Sequence, residues 1–236
     1  MTNADYIEKY KDQDEIIRTY FQVRDKYGQL NDIDGVVSPL KIDNRQLASP
    51  TDQQGETPHC AGYSICSIVE AINWKRTGKI YNLDADQVYA RAKLLDGSKN
   101  SEGTFLEYAI QAALQLGGFK NPQDIKIGFL YNDGGKKTVD AFKHLIHKYD
   151  FLHCGFNIST GWYSCNDAQP VIRHTNICCG GHAVVAVGYD QQGVYIQNSW
   201  GITWGSKGFG ILPWDAFKQE LIYCCYLQNC YNGLEG

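Results

Sequence analysis

Cys60, His182 and Asn198 are side chains from which an acyl-transfer site can be assembled, and the chain carries them in that order. Nucleophilic cysteine chemistry needs a thiolate, an imidazole to exchange its proton, a group that orients the imidazole, and donors for the oxyanion that forms on the attacked carbonyl. In TDQQGETPHCAGYSICSIVEAINW, residues 51–74, two cysteines compete for the first role. Ile65, Ile68, Val69 and Ile72 follow Cys60 at i, i+3, i+4, i+7 spacing, which predicts one face of a helix ending before Gly78. Unpaired N–H groups and the dipole at the start of that helix favour a negative sulfur, so Cys60 is the candidate nucleophile. Cys66 lies inside the same helix without that advantage and reads as a packing residue.

Of the six histidines, His59, His144, His147, His153 and His174 sit beside loops, helix faces or strands with no evident companion. His182 opens the most apolar strand pattern, HAVVAVGY, directly after CCGG. Alone, such a histidine is more often a hydrogen-bonded structural residue. The next strand pattern, however, supplies Asn198 in IQNSWGITWG, and adjacent antiparallel strands can bring the two side by side.

The elements that must hold these groups divide the chain. Asp84 with Gln87, and Thr104 with Glu107, are capping-box pairs ahead of apolar helical faces, and Gly117–Gly118 stops the second of these helices. IKIGFLY reads as a strand, and Val139, Phe142, Ile146 and Tyr149 mark a further helix face. FLHCGFNI, HAVVAVGY, GVYIQN and GFGIL then read as strands. Helices first and antiparallel strands second predict an α+β protein with two unlike lobes. Upstream, Ile7, Tyr10, Ile16, Ile17, Tyr20 and Phe21 form a rough amphipathic helix bounded near Gly28. An apolar connector with Val36, Val37, Leu40 and Ile42 follows, expected to lie along a surface. The expected division is residues 1–50 packing on a catalytic domain 51–236, with a helical lobe at about 51–123 and a β lobe at about 124–230.

Composition narrows the function. With 236 residues and 43% hydrophobic content, the chain can bury a substantial core. A net charge of −4 gives no electrostatic reason to seek nucleic acid or an anionic membrane. The N-terminus does not read as a secretory signal, and no stretch approaches the length of a membrane span. Nine cysteines are an odd number, and the vicinal pairs Cys178–Cys179 and Cys224–Cys225 lack zinc-site spacing. A reducing compartment, buried thiols, and no metal or cofactor are the expectation.

QGETPHCAGYS, GGHAVVAVGYD and NSWGITWGSKGFGIL resemble the three signature segments of the papain-like (C1-type) cysteine peptidases, over roughly Thr51 to Leu227. Asn198 follows Cys60 by 138 residues, inside the family's spacing of roughly 130–150, whereas His182, at 122, falls short. The resemblance implies a helical lobe, an antiparallel β-barrel-like lobe and an active-site cleft between them. It implies an endopeptidase that passes through a Cys60 thioester, with His182 as base and acid, Asn198 orienting the ring and Gln54 donating to the oxyanion. Trp200 corresponds to the indole covering the His–Asn pair and Trp204 to the indole on the leaving-group side. Gly103 and Thr104 approximate the segment that pairs with substrate backbone. Gly181 stands where many members carry a side chain, which bears on substrate preference. Two departures are Ala61 in place of the usual tryptophan and Thr57 in place of a disulfide cysteine. The long propeptide of the family is missing, which suggests an effector-like or toxin-like member. It would be cytoplasmic or delivered into a target cell, and held in check by a separate inhibitor or immunity protein. The same site also admits deamidation or acyl transfer, because the acceptor decides the product. A non-catalytic binding module is a further alternative.

Overall fold

The computed structural model describes residues 37–79, 81–98 and 101–230, so the predicted N-terminal helix and Val36 lie outside the described residues. Five helices are described: α1 (Cys60–Thr77), α2 (Ala85–Asp96), α3 (Leu106–Gln115), α4 (Lys136–Tyr149) and α5 (Trp214–Glu220). The strands are β1 (Ile42–Asp43), β2 (Lys126–Tyr131), β3 (Leu152–Ser159), β4 (Cys178–Tyr189), β5 (Gly193–Gln197), β6 (Phe209–Pro213) and β7 (Leu221–Gln228). The strands form one antiparallel sheet in the order β2-β7-β3-β4-β5-β6, and β1 pairs with β4 beyond the end of β3.

Strand periodicity explains the two cores. Successive side chains of a strand point to opposite faces, and β4 alternates accordingly. Ala183, Val185 and Val187 pack with Ile65, Val69, Ile72, Val88 and Ile110 of the first three helices. Val184 and Ala186 pack with Phe142, Leu145, Ile146 and Phe217 of α4 and α5, and a register shift between Ala186 and Gly188 turns Tyr189 to the same face. The barrel-like lobe expected from the sequence is therefore an open sheet. No pairing joins β2 to β6, and helices rather than curvature cover both faces. Both α5 and β7 escape the sequence patterns given above. Among the described residues, no helix is long and apolar enough to cross a membrane.

Local chemistry sets the helix ends. Asp84 accepts from the backbone N–H groups of Asp86 and Gln87, each at 3.0 Å, which satisfies the start of α2. Gly78 ends α1 at φ 64°, in the left-handed region. The Thr104–Glu107 cap does not form. α3 starts after Phe105, and the Thr104 hydroxyl donates to Asp96 Oδ2 at 2.7 Å. Glu107 turns inward, where its carboxylate accepts from Tyr223 at 3.0 Å. A buried phenol competes for that carboxylate better than an exposed helix end does. The connector also differs from expectation. Ile42 pairs into the sheet, but Val37 and Leu40 are 90% and 79% exposed.

Candidate active site

Cys60 is the first residue of α1, after the N-cap His59. His59 is held by Asp86 at 2.8 Å and stacks on Tyr89 at 3.9 Å between ring centroids. The Cys60 sulfur is half-buried and is approached by the backbone N–H groups of Ala183, Ala61 and Cys60 itself. Burial pushes this thiol up, and the three N–H groups pull in the other direction. The net direction is upward, against the expectation from the helix terminus alone. Burial likewise pushes Cys66 up; it is 1% exposed in the core of α1.

His182 is the neighbour of Ala183 on β4, so the sheet brings it to the same end of α1. Burial lowers it to about 4, with the Asn198 bond opposing, and the ring is neutral near neutral pH. Its tautomer follows from the hydrogen bonds. Asn198 Oδ1 accepts from the Ser199 backbone N–H at 2.8 Å, and a backbone N–H can only donate. The oxygen is therefore fixed, and His182 Nε2, 2.8 Å from the same oxygen, must carry a proton. Nδ1 is left as the basic nitrogen.

Aromatic rings enclose this pair. Trp200 stacks on His182 at 4.7 Å and 28°, and Trp162 meets the same ring edge-on at 6.1 Å. Trp204, expected on the leaving-group side, is buried behind Trp200. It meets Trp200 edge-on and donates its N–H to the Trp162 carbonyl at 2.8 Å. The indole N–H is a donor that must be satisfied when buried, which draws the ring inward. Tyr163 lies parallel to Trp200 at 5.2 Å and is itself 62% exposed.

Gln54 is buried between two loops. Its oxygen accepts from Ser199 Oγ at 2.6 Å, and its nitrogen donates to the Thr57 carbonyl at 2.7 Å. An amide nitrogen has two hydrogens, so one remains beyond the Thr57 bond. Ser199 thus ties Gln54 to Asn198. Gly103, at φ 74°, has open space where a side chain would stand, and its backbone N–H reaches the Tyr89 hydroxyl. Thr104 is turned away toward Asp96. Gly181 is extended, exposed and also faces open space.

The structure therefore gathers Cys60, His182, Asn198, Gln54 and Trp200 at one end of α1 and β4, and leaves Trp204 behind them. Sequence reasoning did not single out Ser199, Trp162, Tyr163, Ser64 or His153. Ser199 lies within the quoted NSWG run; the others have no signal without the strand register. All nine cysteines are free thiols.

A helix-borne cysteine facing a His–Asn pair on an antiparallel sheet defines the class of α+β cysteine peptidase folds. The papain family cysteine protease model matches residues 130–217. The chain is 27% identical over 208 residues to cysteine proteinase COT44 of Brassica napus, covering 78% of this chain and 62% of that protein. It therefore spans less than two-thirds of that relative. Chymomexicain of Jacaratia mexicana is 27% identical over 219 residues, covering 84% of this chain and 99% of that protein. Among solved structures, xylellain, a cysteine protease from Xylella fastidiosa, superposes with a TM-score of 0.63 at 17% identity, covering 85% and 95% of the two chains. Over these residues the chain is similar to the papain family of cysteine proteases.

Proposed function

We propose that this chain hydrolyses peptide bonds through a Cys60 acyl-enzyme. The observation that carries the reading is the fixed Asn198 oxygen, which makes His182 Nε2 a donor and Nδ1 the base beside a sulfur held by the Ala183 N–H. The Cys60 proton passes to Nδ1, and the thiolate attacks the substrate carbonyl. Each charge alone is disfavoured by burial, but proton transfer creates them together, and their attraction is strong in a site enclosed by indoles. The developing oxyanion faces the Cys60 N–H and the remaining Gln54 hydrogen. The imidazolium then protonates the leaving amine, and the resulting thioester is hydrolysed by water with His182 again as base. Extended backbone of a protein or peptide substrate would run past Gly103 and Gly181, where no side chain intrudes. Residues 51–230 would form the catalytic unit, with β1 tying the connector to it.

The test is incubation of purified protein with a denatured protein mixture, followed by mass spectrometry. New peptide termini are expected, abolished by Cys60→Ala, with an epoxysuccinyl reagent bound at Cys60 in the parent. Mass shifts of one unit without new termini would convert the reading to deamidation. Undiminished cleavage by Cys60→Ala would remove Cys60 from the mechanism.

A further inference from the structure

One turn beyond Cys60, a buried polar chain runs into the carbonyl of the same residue. Ser64 Oγ donates to the Cys60 carbonyl at 2.8 Å and lies 2.7 Å from His153 Nε2, with a weaker approach to the Ala61 carbonyl at 3.4 Å. His153 is 1% exposed, and its Nδ1 is buried without a partner. A hydroxyl has one proton, so two arrangements exist. In one, Ser64 donates to Nε2, which leaves an orphan N–H at Nδ1. In the other, His153 Nε2–H donates to Ser64 and Ser64 donates to the Cys60 carbonyl, which leaves only an acceptor unfilled. Orphan buried N–H groups are the rarer of the two, so the bonds run one way, from His153 to Cys60.

The far end of this chain matters to the sulfur. The Cys60 carbonyl and the Ala61 N–H belong to one peptide unit, and that N–H points at the Cys60 sulfur. A donor on the carbonyl polarises the unit and strengthens its N–H bond. The near end matters to alignment. His153 pairs with Val185 on β4, three positions from His182. The same two strands therefore carry His182 directly and brace Cys60 through His153 and Ser64.

We propose that Ser64 and His153 are positioning residues for Cys60: together they fix the first turn of α1 against β3 and strengthen the backbone donor to the sulfur. This rests on the reading of Cys60 as nucleophile. The experiment follows alkylation of Cys60 by iodoacetamide, read by mass spectrometry, beside kcat, KM and Tm, in Ser64→Ala and in the double variant Ser64→Ala/His153→Leu. Ser64→Ala is expected to slow alkylation and kcat by roughly threefold to tenfold, as for loss of one hydrogen bond, with KM unchanged. It also orphans His153, so Tm falls. The double variant removes the orphan and regains Tm while alkylation stays slow. A parental alkylation rate in Ser64→Ala overturns the proposal, as does recovery of rate together with Tm in the double variant. Alkylation needs no turnover, so failure to cleave any peptide would count against the proposed function and leave this test standing.

Discussion

His153 and His182 are both buried, on neighbouring strands, and burial lowers them to about 3 and about 4. Yet the arrangement around each differs. His153 opposes Val185 on the helical face of the sheet, bonded to a serine hydroxyl and otherwise enclosed. His182 opposes Phe156, and its Nε2 is committed to an amide oxygen that a backbone N–H has already fixed. Burial alone makes a histidine neutral. What makes it a candidate base is a rigid acceptor on one nitrogen and reactive space at the other. The difference predicts His182→Ala to be the most damaging change to turnover, on the order of a millionfold as for removal of a member of such a unit. Adding Cys60→Ala should cost little more, because both act in one step. Additive losses in the double variant would separate the two residues and break the comparison.

What the two rings share should appear in acid. Each binds its proton less readily in the fold than in the unfolded chain, where histidine titrates near 6.5. The unfolded state then holds more protons below that value, so the stability present at neutral pH is lost as pH falls from about 6.5 toward the folded values. Glu70, raised to about 7 by burial, acts in the opposite sense and offsets part of this. At about 1.4 kcal/mol per unit, His182→Ala should flatten the stability difference between pH 7 and 4.5 by roughly 2–3 kcal/mol. Urea denaturation at the two pH values measures it. Parallel curves for parent and variant would show that His182 is not held neutral.

The orienting bond should count for less than the base. Asn198→Ala frees the ring, but Trp200 still stacks on it, so the loss in kcat should be about 10- to 100-fold, as for a hydrogen bond to a charged group. Asn198→Asp should restore orientation and shift the acid limb of activity upward, because a carboxylate favours the imidazolium. An acid limb unmoved in Asn198→Asp would place the titrating group elsewhere.

The difference between the two histidines also marks how far the sequence is legible. Cys60, His182 and Asn198 stand out because the chemistry restricts residue type and because each lies at the edge of an apolar pattern. The helices and most strands are equally plain, since their burial on one or both faces imposes periodicity. His153 sits in FLHCGFNI with nothing to name Ser64, 89 residues earlier, as its partner. Only the β3–β4 register and the packing of α1 bring them together. Trp204 makes a related point. A motif fixes which indole is present, while its N–H partner decides which way it turns. Whether the sheet closes is not legible either, because strand patterns carry face and period but not whether the last strand returns to the first.

The smallest effect tests the same lesson at the helix ends. Asp84–Gln87 and Thr104–Glu107 look alike in sequence, but only the first pair caps its helix. Asp84→Ala removes the acceptor for two backbone N–H groups and should lower stability by about 1 kcal/mol, with little change in activity because Asp86 and Tyr89 still hold His59 beside Cys60. Thr104→Ala removes no cap. It releases Asp96, which keeps the Ser98 N–H at 2.8 Å and Lys93 at 3.2 Å, so its stability cost should be smaller. Its effect should fall instead on KM, because Thr104 anchors the Gly103 turn that the substrate backbone would pass. Thermal melts and steady-state kinetics on the two variants separate these outcomes. Equal losses of Tm with unchanged KM in both would mean that Thr104 serves α3 as a cap after all, and that the Gly103 turn takes no part in binding.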